Sequence, residues 1–278
     1  MENLITRNAC HYFPFQPEIQ CNSDYYIEQK PVRHIIKQHV ALFYQFKVKQ
    51  DGKSAVSIIP DGSFDILFCC SSRYPSVVLW TNPLHRRIQP NFKSECEYFG
   101  VRFLPEQSVI RLTYPMKELL DKQIPLYDVM SIDSCIAEKI GEIRSFAERI
   151  EAFEKTLERT MLEPTYNQRI VDYSIKEIYI SRGVINIEQL ASDIGYTARN
   201  LRKKFEEYIG FSPKQFSQIV KFQNSLGMIL TINDFHLLDI VHKNGYYDQS
   251  HLIKAFKKFT YLSPTQFKEQ ISQNPVSL

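Results

Sequence analysis

The sequence predicts an α+β chain in three parts. A β-rich amino-terminal domain, barrel- or sandwich-like, spans 1–130, and a helical connector spans 131–181. An all-α carboxy-terminal domain with two helix-turn-helix units spans 182–278. Three observations predict this. Short runs of β-branched and aromatic residues, punctuated by turn signals, fill the first part. The hydrophobic period then becomes helical. Finally, one helical unit is written twice, as "GYTARNLRKKFEEYIGFSPKQF" from Gly195 and "GYYDQSHLIKAFKKFTYLSPTQF" from Gly245.

The expected strands are "HVALFYQFKV" (39–48), "SAVSIIP" (54–60), "FDILFCC" (64–70), "SVVLW" (76–80) and "EYFGVRFLP" (97–105). Asp51-Gly52, Asp61-Gly62 and Asn82-Pro83 are the turn signals between them. Two helical pieces are expected near 105–113 and 115–120. In the connector, Ile136, Ile143, Ile150 and Leu157 recur every seven residues, with Phe146 and Phe153 between them. Two accounts of this stripe stand: an amphipathic helix packed on its own domain, or a seam between two copies. A further helix is expected near 166–181, closed by Gly183.

Each repeated unit opens with a short apolar-periodic helix, near 187–193 and 237–243. It turns at a glycine, which accepts positive φ without a Cβ clash. It then enters a second helix, near 198–208 and 250–259. Leu201, Phe205 and Tyr208 at i, i+4, i+7, like Leu252, Phe256 and Phe259, form the stripe expected to be buried. The opposite face carries Arg199, Arg202 and Lys203 in the first unit and Gln249, Ser250, His251 and Lys254 in the second. Such side chains donate to phosphates and base edges, although charges on an exposed helix are most often only solvated. The spacer "SPKQFSQIVKFQNSLGMIL" (212–230) opens with Ser at the N-cap and Pro at the first helical position. As a helix it is a rod of about 27 Å. Phe216, Ile219, Val220, Phe222, Leu226 and Ile229 put apolar contacts on both its sides. It could hold two second helices about one duplex turn, ~34 Å, apart.

Bulk properties narrow the class. The chain has 278 residues, 44% hydrophobic and 23% charged, which suits two globular domains. No apolar stretch is long enough for a bilayer, and "MENLITRNAC" does not read as a secretory signal, so a cytoplasmic protein is expected. Net charge is +3. Residues 181–278 hold twelve Lys/Arg and eight Asp/Glu, +4, against −1 for the rest, so the surplus travels with the repeat. Six cysteines (Cys10, Cys21, Cys69, Cys70, Cys96, Cys135) all precede the repeat without CxxC or zinc spacing. They read as reduced thiols, with a redox sensor as the competing account. No nucleophile–base pair or phosphate loop is readable, so no catalytic residue, metal or cofactor is assigned.

The segment 181–278 resembles the DNA-binding domain of the AraC/XylS family of bacterial transcription regulators. "NIEQLASDIGYTARNLRKKFEEYIGFSPKQF" resembles the family's first unit. "LLDIVHKNGYYDQSHLIKAFKKFTYLSPTQF" resembles its second, including the Gly-aromatic turn, "DQS", "AFKK" and the closing Ser-Pro. The resemblance implies contacts to DNA from Thr197, Arg199, Asn200, Arg202 and Lys203, and from Gln249, Ser250, His251 and Lys254. It covers about a third of the chain. Departures are Val241 where the family usually has Ala, Tyr261 where it often has Gly, and Lys221 near a common Arg.

"IIPDGSFDILF", "EYFGVRFLP" and "LLDKQIPLYDV" look like a β-rich sensor fused to such domains. Partners implied are double-stranded DNA, RNA polymerase, a small-molecule effector and a second copy of the chain; transcription activation at the nucleoid is the expected role. Trp80, His85, Arg86, Tyr98 and Arg102 are effector candidates if strand parity turns them inward, against an ordinary aromatic core with surface arginines. A cupin-type metal enzyme is not expected, because His34 and His39 are followed only by the distant His85. The alternative for the whole chain is a ligand-binding or enzymatic amino-terminal domain whose helical repeat serves protein–protein assembly.

Overall fold

The computed structural model describes residues 12–48, 56–71, 73–89, 92–93, 96–232 and 234–273. Cys10 and the expected Asp51-Gly52 turn lie outside them. The first domain is built on β1 (Ser23–Gln29), β2 (Val40–Val48), β3 (Val56–Ile58), β4 (Phe64–Cys70), β5 (Ser76–Trp80), β6 (Arg87–Gln89), β7 (Glu97–Phe103) and β8 (Gln123–Pro125). Six form one antiparallel sheet in the order β1-β2-β7-β4-β5-β8, and β3 pairs with β6. Short helices α1 (Pro17–Cys21), α2 (His34–Lys37), α3 (Met116–Leu119) and α4 (Leu126–Val129) punctuate it.

The expected strands are all present: β4 and β5 at the expected bounds, β2 and β7 shorter by one or two residues, and β3 within the expected 54–60. The sequence reading did not anticipate β1, β6 and β8. Two of them are three residues long, and β1 is an edge strand mostly exposed to solvent, so none shows a clear alternation. The helix expected near 105–113 is absent: that stretch runs irregularly, with Gln107 tying its own turn through a bond from Ile110 N to Oε1.

The heptad stripe is broken. Ile143 has extended backbone, which separates α5 (Ile136–Glu142) from α6 (Phe146–Thr160), and Ser145 caps α6. Ile136, Ile150, Phe153 and Leu157 are all buried in one cluster with the sheet residues Phe43, Phe68 and Phe99. Phe153 meets Phe43 and Phe68 edge-on. The stripe is spent on the chain's own sheet, which favours the first account of it over the seam. The connector also divides: α5 and α6 pack on the sheet, whereas α7 (Tyr166–Ile180) contributes Ile170, Val171, Ile175 and Ile178 to the helical core.

The remaining helices are α8 (Ile187–Asp193), α9 (Ala198–Tyr208), α10 (Pro213–Thr231), α11 (Leu237–Lys243), α12 (Gln249–Thr260) and α13 (Pro264–Ser272). Of these, α13 was not anticipated, and the helices α8 to α12 match the expected positions within one or two residues. Local chemistry explains this: Thr165, Ser212 and Ser263 each complete a capping box with a glutamine three residues on.

Polar contacts join the domains, one set of them through the segment 12–16. Gln223, buried on α10, accepts from Phe15 N at 3.0 Å and donates to Pro60 O at 2.8 Å. Gln16 donates to Ile59 O and to Asp61 Oδ2, so residues 12–16 lie as a strap between sheet and helices.

Candidate nucleic-acid interface

The two units are built alike. In each, the tyrosine after the turn glycine donates its backbone N–H back to the first helix, Tyr196 to Ala191 O at 2.8 Å and Tyr246 to Val241 O at 3.0 Å. Gly195 and Gly245 sit at φ 72° and 64°, where a side chain would be strained. Thr197 and Asp248 then cap α9 and α12 by accepting from Asn200 N and His251 N. Thr197 thus serves first as a helix cap.

Leu201, Phe205, Leu252 and Phe256 are fully buried, whereas all nine expected DNA contacts are exposed. Amphipathic helices with caps in matching places therefore present polar faces outward in both units. The shared support is α10, whose Phe216 meets Phe205 at 6.2 Å and whose Phe222 meets Phe256 at 5.1 Å and Phe259 at 4.9 Å. Its 19 residues make a rod of about 28 Å. Lys221, on the same rod, donates to Gly245 O at 2.5 Å and lies 4.2 Å from the Tyr246 ring, bracing the second turn. Burial draws its ammonium below the usual lysine range.

The first unit is not free of the β domain. Arg202 Nε donates to Glu206 Oε1 at 2.7 Å, and Lys117 of α3 donates to Glu206 Oε2 at 2.7 Å. Glu206 is thus flanked by two cations, and the Lys117 bond first, then the Arg202 bond, holds its carboxyl below the usual range. Beside it Leu120 packs where a Cβ on Gly210 would stand, 2.7 Å away. The sequence reading missed this chain of contacts because Lys117 and Glu206 are 89 residues apart.

The second unit meets the β domain at the end of α12. His85 Nδ1–H donates to Lys258 O at 3.1 Å, and Arg86 N donates to Phe259 O at 3.2 Å. Arg86 is itself ion-paired with Glu18. His85 and Arg86, read as effector candidates, therefore bridge domains.

The other effector candidates are not brought together around one cavity. Arg102 is buried and forks onto Asp65, Nε to Oδ1 and Nη2 to Oδ2 both at 2.9 Å, with Tyr44 Oη donating to the same carboxylate. Trp80 and Tyr98 pack with Phe46 and Phe92 inside the aromatic layer between the two sheets. They fill the core, which is the competing account given above. Among the described residues no group of three His, Cys, Asp or Glu side chains is placed to hold a metal, and no helix is long and apolar enough to cross a membrane.

Residues 190–270 match the model of a helix-turn-helix domain, and 30–125 match a domain family of unknown function, DUF6597. The carboxy-terminal domain is therefore a helix-turn-helix domain. Its doubled unit on a common rod is the arrangement that the resemblance to the AraC/XylS regulators implied. The chain is 33% identical over 87 residues to an uncharacterized HTH-type transcriptional regulator of Haemophilus influenzae, covering 31% of this chain and 29% of that one. It is 24% identical over 88 residues to the HTH-type transcriptional regulator MtrA of Neisseria gonorrhoeae, covering 32% and 29%. The chain thus spans less than a third of the length of these relatives. A structure of ToxT from Vibrio cholerae aligns over 88% of this chain and 98% of that one, at 11% identity and a TM-score of 0.42.

Proposed function

We propose that the chain is a sequence-specific DNA-binding transcription regulator whose α9 and α12 read adjacent major grooves under control of the β domain. The observation that carries this reading is the matched pair of exposed polar faces on α9 and α12, both fixed to α10. Arg199 and Lys203 supply the first unit's donors, with Asn200 beside them and Arg202 toward the β domain. Gln249, Ser250, His251 and Lys254 supply the second's. Phosphate contacts would give most of the affinity and base-edge contacts the selectivity. RNA polymerase is the partner through which such a regulator acts, in the cytoplasm at the nucleoid, and the β domain is its control element rather than an enzyme.

The test is titration of the full-length protein with fragments covering its chromosomal binding regions and with random duplex, at about 0.1 and 0.3 M salt. Selective binding that weakens with salt is expected. Equal, weak binding to all fragments would return the repeat to an assembly role.

A further inference from the structure

A cavity of about 720 Å³ lies between the domains and away from the faces proposed to read DNA. Its walls come from α2 and the following turn, the segment after β7, residues 161–164 and α7. We infer that this cavity is a binding site for a small organic cation, an ammonium or guanidinium compound, held against Asp172 and Glu106 over the Tyr12–Tyr179 stack.

Four features converge on that chemistry. Tyr12 and Tyr179 stack at 4.6 Å with an interplanar angle of 9°, giving an aromatic floor, and aromatic surfaces attract cations. Glu106 stands at that floor, accepting from Tyr179 Oη at 2.8 Å through Oε2. Asp172 lines the same cavity and, among the described residues, makes no hydrogen bond and no close ion pair. His39 adds a buried Nδ1 that also has no partner among them.

The electrostatics agree. Burial pushes the Glu106 carboxyl up, and burial followed by repulsion from Glu106 pushes Asp172 up to about 7. Burial pulls His39 down, leaving a neutral imidazole. A cavity whose titratable groups are disfavoured in their charged forms is one that a complementary charge would relieve. The charged groups on the remaining walls are Lys37, Glu163 and Lys176. Both lysines are exposed, and water and salt screen exposed charges more than buried ones. Lys176 nevertheless acts on Asp172 and Glu106 and opposes the ligand.

This inference concerns ligand binding and does not depend on whether the chain binds DNA. Its test uses the full-length protein with agmatine as probe, read by calorimetry and thermal denaturation, with sodium chloride at matched ionic strength and sodium butyrate as controls. Saturable binding of agmatine is expected at pH 8, raising Tm by a few degrees near saturation. Binding should weaken by about tenfold in Asp172→Asn. It should also weaken at pH 6, where Asp172 holds its proton. Lys176→Ala, which removes the competing ammonium, should tighten it. No saturable response to agmatine, equal affinity in Asp172→Asn, no tightening in Lys176→Ala, or a butyrate response in its place would each overturn the site.

Discussion

Lys117 of the β domain and Glu206 of α9 are joined at 2.7 Å, and Glu206 simultaneously holds Arg202. A carboxylate therefore stands on the flank of a helix proposed to approach phosphates. It occupies one arginine, and a residue from the other domain keeps it in place. Glu206→Gln should raise affinity for specific DNA by about three- to tenfold at low salt, with a smaller gain at high salt, because it frees Arg202 and removes a like charge. Fluorescence anisotropy at two salt concentrations checks this; unchanged affinity would mean that the pair is only structural.

Arg199 and Lys203 are exposed on α9 and, among the described residues, make no such ion pair. Arg199→Ala should cost about 1–3 kcal/mol on a specific site and relax selectivity if it reads a base. Lys203→Ala should lower affinity on specific and random duplex alike, and flatten the salt dependence by about one unit of slope, if it meets a phosphate. Arg202→Ala should cost less than Arg199→Ala, since Arg202 must first leave Glu206.

Tyr261 follows α12 with φ 65°, the left-handed cap position that favours glycine, and its side chain is mostly exposed. Tyr261→Gly should stabilise the domain by up to about 1 kcal/mol, measured by urea unfolding of the full-length protein. A loss of stability would show that the ring makes contacts worth more than the backbone strain.

Asp172 is raised in the folded state to about 7, first by burial and then by Glu106. An acid raised on folding binds more protons folded than unfolded between its two pKa values. Its contribution to stability is therefore lost as pH rises from about 4 to 7. Asp172→Asn should raise Tm by a few degrees at pH 8 and have little effect at pH 4. Equal shifts at both pH values would remove the electrostatic account.

What could be read from the sequence was what is local. Caps such as Ser212 with Gln215, the turn glycines Gly195 and Gly245, and the i, i+4 stripes of α9 and α12 depend on neighbours within one helical turn. Their elements accordingly appear where expected. The strands β2, β4, β5 and β7 were legible because central strands are dense in buried aliphatic and aromatic residues. The break at Ile143 was not, because nothing in the spacing of Ile136, Ile150 and Leu157 distinguishes one helix from two. Trp80, Tyr98 and Arg102 were misleading for a related reason: inward strand parity describes a core aromatic or a buried ion pair as well as a pocket. Asp172, Glu106 and His39 could not be associated at all, since only the docking of α7 against the segment after β7 brings them into one cavity.

The rod α10 holds α9 through Phe216 against Phe205 and α12 through Phe222 against Phe256, and the two helices it carries offer different side chains. On the proposed reading, a single molecule bound to its operator has a direction. Its arginine-bearing end and its amide- and imidazole-bearing end cannot be exchanged, so the operator need not be a palindrome. Inserting about five base pairs between its two halves would swing one of them to the opposite side of the duplex, out of reach of a ruler that does not stretch.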